Sequence, residues 1–312
     1  MQNNQFSFST VWNTQKESDG AVICAAIANL GFSNIELNFQ FSHEKLAGVF
    51  SFLKNNPSIR VSGVHNYCPA PTEDVALPKA FPDCFSIAAT DEAERKKAVQ
   101  YTIRTIETAK KIGGRYVVMH SGHVAMESRM RQLITLAKEG KRDSNEFIRM
   151  REDMVHERAR RAGEHFDALS TSYGELTKVA KEHGILLGLE NRFYYRELPA
   201  PDEIKRLLHY FKGNNLGYWH DVGHAAMQEV LGFYRPYEYI GTFHREMIGI
   251  HLHDVIQLRD HYMPGTGELD YRTLRTFIRP QIVKTIEIHG HQTADDIRRG
   301  MVVLGELFGN KR

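Results

Sequence analysis

The feature that most constrains this chain is a recurrence of short apolar runs separated by longer amphipathic stretches. The runs lie at residues 6–12, 34–39, 60–67, 115–121, 185–191, 216–221, 248–254 and 284–289. Each is strand-length, and helical periodicity fills the intervals at 20–30, 43–55, 91–112, 201–211, 271–278 and 293–307. Strands alternating with helices in this way build a parallel sheet with crossover helices. A set of about eight is the number a closed barrel needs, so the expected fold is a (β/α)8 TIM barrel. Start signals agree: Ser42 precedes the stretch at 43, and Ala200 precedes the first turn Pro201-Asp202-Glu203. No internal repeat or low-complexity segment interrupts the pattern, and 312 residues suit one barrel, so residues 1–312 are expected to form a single domain.

One interval is too long. Residues 123–184 hold far more than one helix and its loops between strands four and five. Arg129, Arg131, Lys138, Lys141, Arg142, Arg149, Arg151, Arg158, Arg160 and Arg161 alternate there with Glu127, Glu139, Asp143, Glu146, Glu152, Asp153 and Glu157. Mixed charge at this density reads first as a solvated face of a helical insertion. A lid or an oligomer contact is the alternative, because the insertion leaves the catalytic end of strand four.

Composition excludes several classes. A formal net charge of +2 does not point to a nucleic-acid or membrane partner. Three cysteines, Cys24, Cys68 and Cys84, form no CxxC pair and are odd in number, which favours a reducing compartment over a disulfide framework. No basic region followed by an apolar stretch opens the chain, and no run approaches the length of a membrane helix. A cytoplasmic location is the expectation.

Chemistry enters at the ends of the strands. His65, His120, Glu190, Asp221 with His224, His251 with His253, and Glu287 all fall there. In a barrel, C-terminal strand ends converge on one pocket. Strand alternation turns Glu190 inward and Leu187 and Leu189 outward. It likewise turns Thr285 and Glu287 inward, and sets Val118 and His120 opposite Val117 and Met119. Several carboxylates aimed at one axis repel unless they share protons or a cation, and a divalent ion is the economical answer. Glu190, Asp221, His251 and Glu287 are therefore the expected metal ligands. Each remaining histidine, one of 16 in the chain, can equally be a surface or satisfied core residue.

The segments Leu189-Glu190-Asn191, His220-Asp221-Val222-Gly223-His224-Ala225, Ile250-His251-Leu252-His253-Asp254, Pro264-Gly265-Thr266-Gly267 and Ile286-Glu287-Ile288-His289 resemble the xylose-isomerase-like barrel superfamily. That group includes sugar isomerases and epimerases, inosose dehydratases and apurinic endonuclease IV enzymes. The resemblance runs from about the second strand to the last, the insertion excepted. It implies that Glu190, Asp221, His251 and Glu287 hold the shared metal. It makes His224 a substrate contact in an epimerase or a zinc ligand in a nuclease, and it matches His65, His120 and His261 to further nuclease zinc ligands. The nuclease pattern has an aspartate where this chain has Arg259, with Asp260 one position out of register. That departure speaks against a full three-metal cluster. Glu36 matches a strand-two position that faces the pocket in this superfamily, with a surface-facing strand residue as the alternative.

Within that resemblance the first expectation is a divalent-metal-dependent isomerase or epimerase of a sugar, sugar phosphate or polyol. Glu190 and Glu287 would be its proton-transfer pair, working through a metal-bound enediolate. Arg192 and Arg196 could grip a substrate carboxylate or phosphate. Phe193, Tyr194, Tyr195 and Trp12 could wall the pocket, and His65, His120, His224, His253, His261 and Glu36 could contact substrate. The alternatives are an endonuclease-IV-like phosphodiesterase with several zinc ions, a polyol or hydroxy-acid dehydratase, and an inert binding protein on the same scaffold. The expected cofactor is one divalent ion, Mn²⁺, Mg²⁺, Co²⁺ or Zn²⁺, with added Zn²⁺ if more histidines are recruited. The expected partner is a small sugar or polyol rather than nucleic acid or membrane, and a homo-oligomer is allowed.

Overall fold

In a computed structural model describing residues 5–76 and 84–309, eight parallel strands close into a barrel. They are β1 (Ser7–Ser9), β2 (Asn34–Leu37), β3 (Arg60–His65), β4 (Tyr116–Met119), β5 (Leu186–Glu190), β6 (Leu216–Asp221), β7 (Met247–Leu252) and β10 (Val283–Ile286). A small antiparallel hairpin, β8 (Asp254–Ile256) with β9 (Arg259–Tyr262), follows β7. The helices are α1 (Gly20–Asn29), α2 (His43–Asn55), α3 (Glu92–Ile112), α4 (Met130–Lys138), α5 (Asn145–His183), α6 (Pro201–Tyr210), α7 (Val222–Val230), α8 (Glu238–Phe243), α9 (Tyr271–Phe277) and α10 (Ala294–Phe308). The expected (β/α)8 barrel with a helical insertion after the fourth strand is the observed architecture.

The differences are local. The first apolar run keeps only Ser7–Ser9 as strand; Ser9 then caps a 3-10 turn over Thr10–Trp12. The hairpin β8–β9 and the short helices α7 and α8 were not anticipated, because each is too brief to show periodicity. Among the described residues no helix is long and apolar enough to cross a membrane.

Parallel register aligns the residues that matter. Asp221 pairs with His251, His251 with Thr285, and Ser9 with Glu36. Beneath them the barrel is filled by Tyr116, Val118 and Trp219, with the Tyr116 and Trp219 rings 4.6 Å apart. Room for these rings comes from inward-facing glycines. A Cβ on Gly63 would lie 2.3 Å from the Tyr116 ring, and one on Gly249 would lie 2.0 Å from the Trp219 ring. Leu187, Leu189 and Ile250 point outward into the main core between sheet and helices.

The insertion is not merely a solvated face. Helix α5 spans 39 residues, and its buried positions include Phe147, Met154, Arg158, His165, Leu169, Tyr173, Leu176 and Ala180. Their spacing of three, four or seven keeps them on one stripe, while Arg149, Glu152, Arg160 and Arg161 face water. The same stripe presents polar groups to loops at the catalytic end. Arg158 donates to the Tyr195 and Glu197 carbonyls at 2.9 and 3.1 Å and to both carboxylate oxygens of Glu203 at 3.0 and 2.8 Å. His165 donates to the Ala88 carbonyl and accepts the Ala125 amide at 2.8 and 3.1 Å. Ser172 donates to Ile87 at 2.7 Å, and the Tyr173 hydroxyl meets Ser121 at 2.8 Å. One helix thereby ties down the loops after β3, β4 and β5.

Candidate metal centre

The strand ends bring Glu190, Asp221, His251 and Glu287 together, with one potential ligand atom from each lying within 4.8 Å of the others. All four are buried. Nδ1 of His251 lies 2.9 Å from Glu190 Oε1, 3.0 Å from Glu287 Oε2 and 3.6 Å from Asp221 Oδ2. One imidazole nitrogen carries at most one proton, so it cannot satisfy three carboxylates. Burial alone would raise the Glu190 pKa, but Arg192, His120 and His251 outweigh it and hold the carboxyl well below its usual range. Asp221 and Glu287 are held down in the same way, against burial, by neighbouring histidines. Burial would push His251 down, yet Glu287 and Glu36 carry it well above the ordinary histidine range. Three ionised carboxylates around one nitrogen are a donor set that fits a divalent cation.

Two further groups flank this one. His65 and His120 join Glu190 in a second set, their rings 4.6 Å apart and edge-on. His224 and His261 join Asp221 in a third. His224 donates through Nδ1 to the Asn191 carbonyl at 3.2 Å, which leaves Nε2 facing Asp260, 4.0 Å from Oδ2. Asp260 Oδ1 also lies 3.2 Å from His261 Nδ1. Left-handed backbone at Gln257, Leu258 and His261 gives the hairpin a turn that swings Asp260 inward and leaves Arg259 exposed. The register objection drawn from Arg259 therefore does not hold in space: the adjacent carboxylate reaches the same histidines.

Outside these groups the partners differ from the sequence expectation at several positions. Glu36 is fully buried, but its carboxylate is spent within the protein. It meets His251 Nε2 at 3.0 Å, the Tyr116 hydroxyl at 2.8 Å and the Thr285 hydroxyl at 3.1 Å. It orients a metal-capable histidine rather than facing substrate. His253 has both nitrogens engaged as well. Nε2 lies 2.9 Å from Asp221 Oδ1, and Nδ1 accepts the His261 amide at 2.9 Å, so it positions Asp221 and the hairpin. Arg196 donates through one guanidinium nitrogen to the Met126 carbonyl at 3.3 Å. Arg192, expected to grip a substrate anion, is instead buried between Glu190 and Glu197 and ion-paired to both.

Other contributors carried weak signals. Asn191 clamps both backbone groups of Asp221, accepting its amide at 2.8 Å and donating to its carbonyl at 2.9 Å. Its place directly after Glu190 was the available clue. Phe39 walls the pocket, its ring 5.7 Å from His65 and 6.4 Å from His120. Of the expected aromatic walls, Phe193 packs edge-on to His224 at 5.9 Å, whereas Tyr195 stacks on Phe233 and Trp12 donates to the Gln292 carbonyl. The Pro264-Gly265-Thr266-Gly267 loop is held by Asp254, whose carboxylate accepts the Gly265 and Leu269 amides at 2.9 and 3.1 Å. A Cβ on Gly267 would lie 2.3 Å from the Val255 carbonyl, which explains the glycine.

Several solved structures share this fold. A D-tagatose 3-epimerase-like protein aligns with TM-score 0.66 and 18% identity over 97% of this chain and 96% of its own. The apo 3-keto-D-glucoside 4-epimerase YcjR from E. coli aligns with TM-score 0.64 and 14% identity over 97% and 100%. The IOLI protein with a bound zinc atom aligns with TM-score 0.61 and 13% identity over 98% and 99%. No curated protein matches the chain in sequence. The sequence model of the xylose isomerase-like TIM barrel matches residues 24–306, so the chain belongs to that family.

Proposed function

We propose that this chain is a divalent-metal-dependent isomerase or epimerase of a sugar or polyol. The observation that carries the reading is the placing of Glu190 and Glu287. They come from strands on different sides of β7 and both approach His251 Nδ1, at 2.9 and 3.0 Å. Two carboxylates flanking one ion can serve opposite faces of a bound carbon. The epimerases among the structural neighbours support the substrate class.

Glu190, Asp221, His251 and Glu287 would hold the ion. When bound, it polarises adjacent substrate oxygens and so acidifies the carbon-bound proton between them. Glu287 and Glu190 then remove and return that proton. Arg192, beside Glu190, keeps that carboxylate ionised, and Phe39 excludes water from one wall. The test is solvent deuterium exchange with a panel of ketoses and polyols. Wild type should incorporate deuterium at the reacting carbon, and metal-replete Glu287→Gln should lose about 10²–10⁴-fold in both exchange and turnover. Equal rates in the two proteins would refute the two-carboxylate mechanism.

A second reading is favoured by the flanking histidine groups. Three adjoining donor sets, sharing Glu190 and Asp221, suit a cluster of zinc ions acting on a phosphodiester. Elemental analysis with anomalous scattering at the zinc edge separates the two. Three ions per chain and cleavage of abasic-site DNA would favour hydrolysis; one ion and no cleavage would favour the sugar reading.

A further inference from the structure

At the opposite, N-terminal mouth of the barrel lies a cavity of about 330 Å³ lined by Arg115, Arg275, Arg279 and Lys284. A second cavity of about 480 Å³ adjoins it, sharing Asn34, Ser62 and Arg115 and adding Arg60. Among the described residues no carboxylate lines either one. We propose that this mouth is an anion site that takes a phosphate-bearing small molecule, separate from the metal centre.

The positive groups there lack counter-charges. Among the described residues no carboxylate lies within ion-pair distance of any of the five. The Nε atoms of Arg275 and Arg279 are buried without a hydrogen-bond acceptor. Lys284 is 7% exposed, and among the described residues its ammonium rests on the Pro280 and Ile282 carbonyls at 3.1 and 2.9 Å. Burial and then the nearby Arg275 lower its pKa. Arg275 is itself held over the Phe308 ring at 5.4 Å. Like charges gathered in a half-enclosed cavity cost stability, and buried N–H donors without acceptors add to that cost. A bound oxyanion relieves the charge repulsion, and the outer guanidinium N–H groups suit phosphate geometry. The concavity argues for a small molecule rather than a polymer, and Gln5, Ser7, Asn34 and Ser62 supply neutral polar groups for its remainder.

Calorimetric titration of the metal-loaded protein tests this with inorganic phosphate, glycerol phosphate and a short single-stranded oligonucleotide. Arg115 is exposed and has no side-chain hydrogen bond in the described structure, so Arg115→Gln should fold normally. Arg279→Gln removes a group that also donates to the Met247 carbonyl, so its melting temperature is measured alongside. Each substitution should weaken phosphate binding about tenfold, the worth of one charged hydrogen bond. Glu287→Gln, at the metal centre, should leave it unchanged. Tighter binding of the ester assigns an organic phosphate and tighter binding of phosphate the free ion; either supports the site. Unchanged affinity in Arg115→Gln and in folded Arg279→Gln overturns it. So does loss of binding in Glu287→Gln, or an oligonucleotide bound far more tightly through the same arginines.

Discussion

Glu36 is the residue through which the candidate metal centre is wired to the barrel interior. Its carboxylate fixes His251 Nε2, which leaves Nδ1 for the carboxylate cluster, and it is itself held by Tyr116 and Thr285. Such a partner is typically worth about 10–100-fold in metal affinity. Glu36→Gln should therefore weaken metal binding by that factor in a competition titration while far-UV dichroism stays unchanged; unaltered affinity would remove the positioning role. The cysteines give a second residue-scale expectation. Burial pushes the Cys24 and Cys68 thiols up to about 12, and both are fully enclosed, whereas Cys84 is half-buried. A thiol-specific reagent at neutral pH should label only Cys84 in native protein and all three after denaturation. Rapid native labelling of Cys68 would contradict the packing around it. Strand parity made the directions of Glu190, Thr285 and Glu287 legible in the sequence. It could not show depth, and for Glu36 the resemblance left a pocket position and a surface position both open. Depth follows from register between neighbours, here Ser9 with Glu36, and no single strand encodes it.

Among the elements, α5 shows the opposite failure. Its charge density hid the buried stripe because members of that stripe, Arg158, His165 and Ser172 among them, are themselves polar. Hydrophobic periodicity therefore skipped at the positions that tie down the catalytic-end loops. Arg158 is the strongest of these ties, and Glu203, its partner, also accepts the Ala200 amide that begins α6 at 2.6 Å. Breaking a buried pair from one side leaves an uncompensated charge, at a cost of about 3–5 kcal/mol. Arg158→Met should destabilise by that amount in urea, and the double variant Arg158→Met/Glu203→Gln should recover part of it. A loss below about 1 kcal/mol would show the pair to be solvated in solution. On α7, burial raises Glu229 to about 7, with Glu238 adding to the effect and the Tyr237 amide opposing it. A carboxyl whose folded pKa is raised contributes stability that is fully present below its unfolded value and lost as pH rises through the folded value. Glu229→Gln should consequently raise the melting temperature at pH 8 and leave it nearly unchanged at pH 4. An equal shift at both pH values would mean the carboxyl titrates normally.

At the scale of the whole molecule, the two ends of the barrel carry opposite unbalanced charge. The C-terminal end gathers Glu190, Asp221 and Glu287 above Glu36, with Arg192 as the cation paired to Glu190. The N-terminal end gathers arginines and Lys284. A near-zero net charge concealed this separation, since +2 balances 40 Lys and Arg against 38 Asp and Glu over the whole chain and says nothing of where they gather. Each excess weakens the barrel unless a ligand of the other sign is bound, so ligand removal should be felt as global stability. An ion held at about 100 times its Kd contributes about 2.7 kcal/mol to the folded state. For a chain of this size each kcal/mol is worth roughly 2–4 °C, so chelation should lower the melting temperature by about 5–10 °C. The control is Asp221→Asn, which removes a ligand charge and relieves part of the carboxylate repulsion in the ion-free protein. Its own melting temperature should respond far less to chelator, and in chelator it should melt at or above wild type. If chelation strips the metal, as elemental analysis would show, and wild type still melts unchanged, the carboxylates must be balanced by protons shared with the surrounding histidines. The donor set would then be a hydrogen-bonded cluster rather than a metal centre.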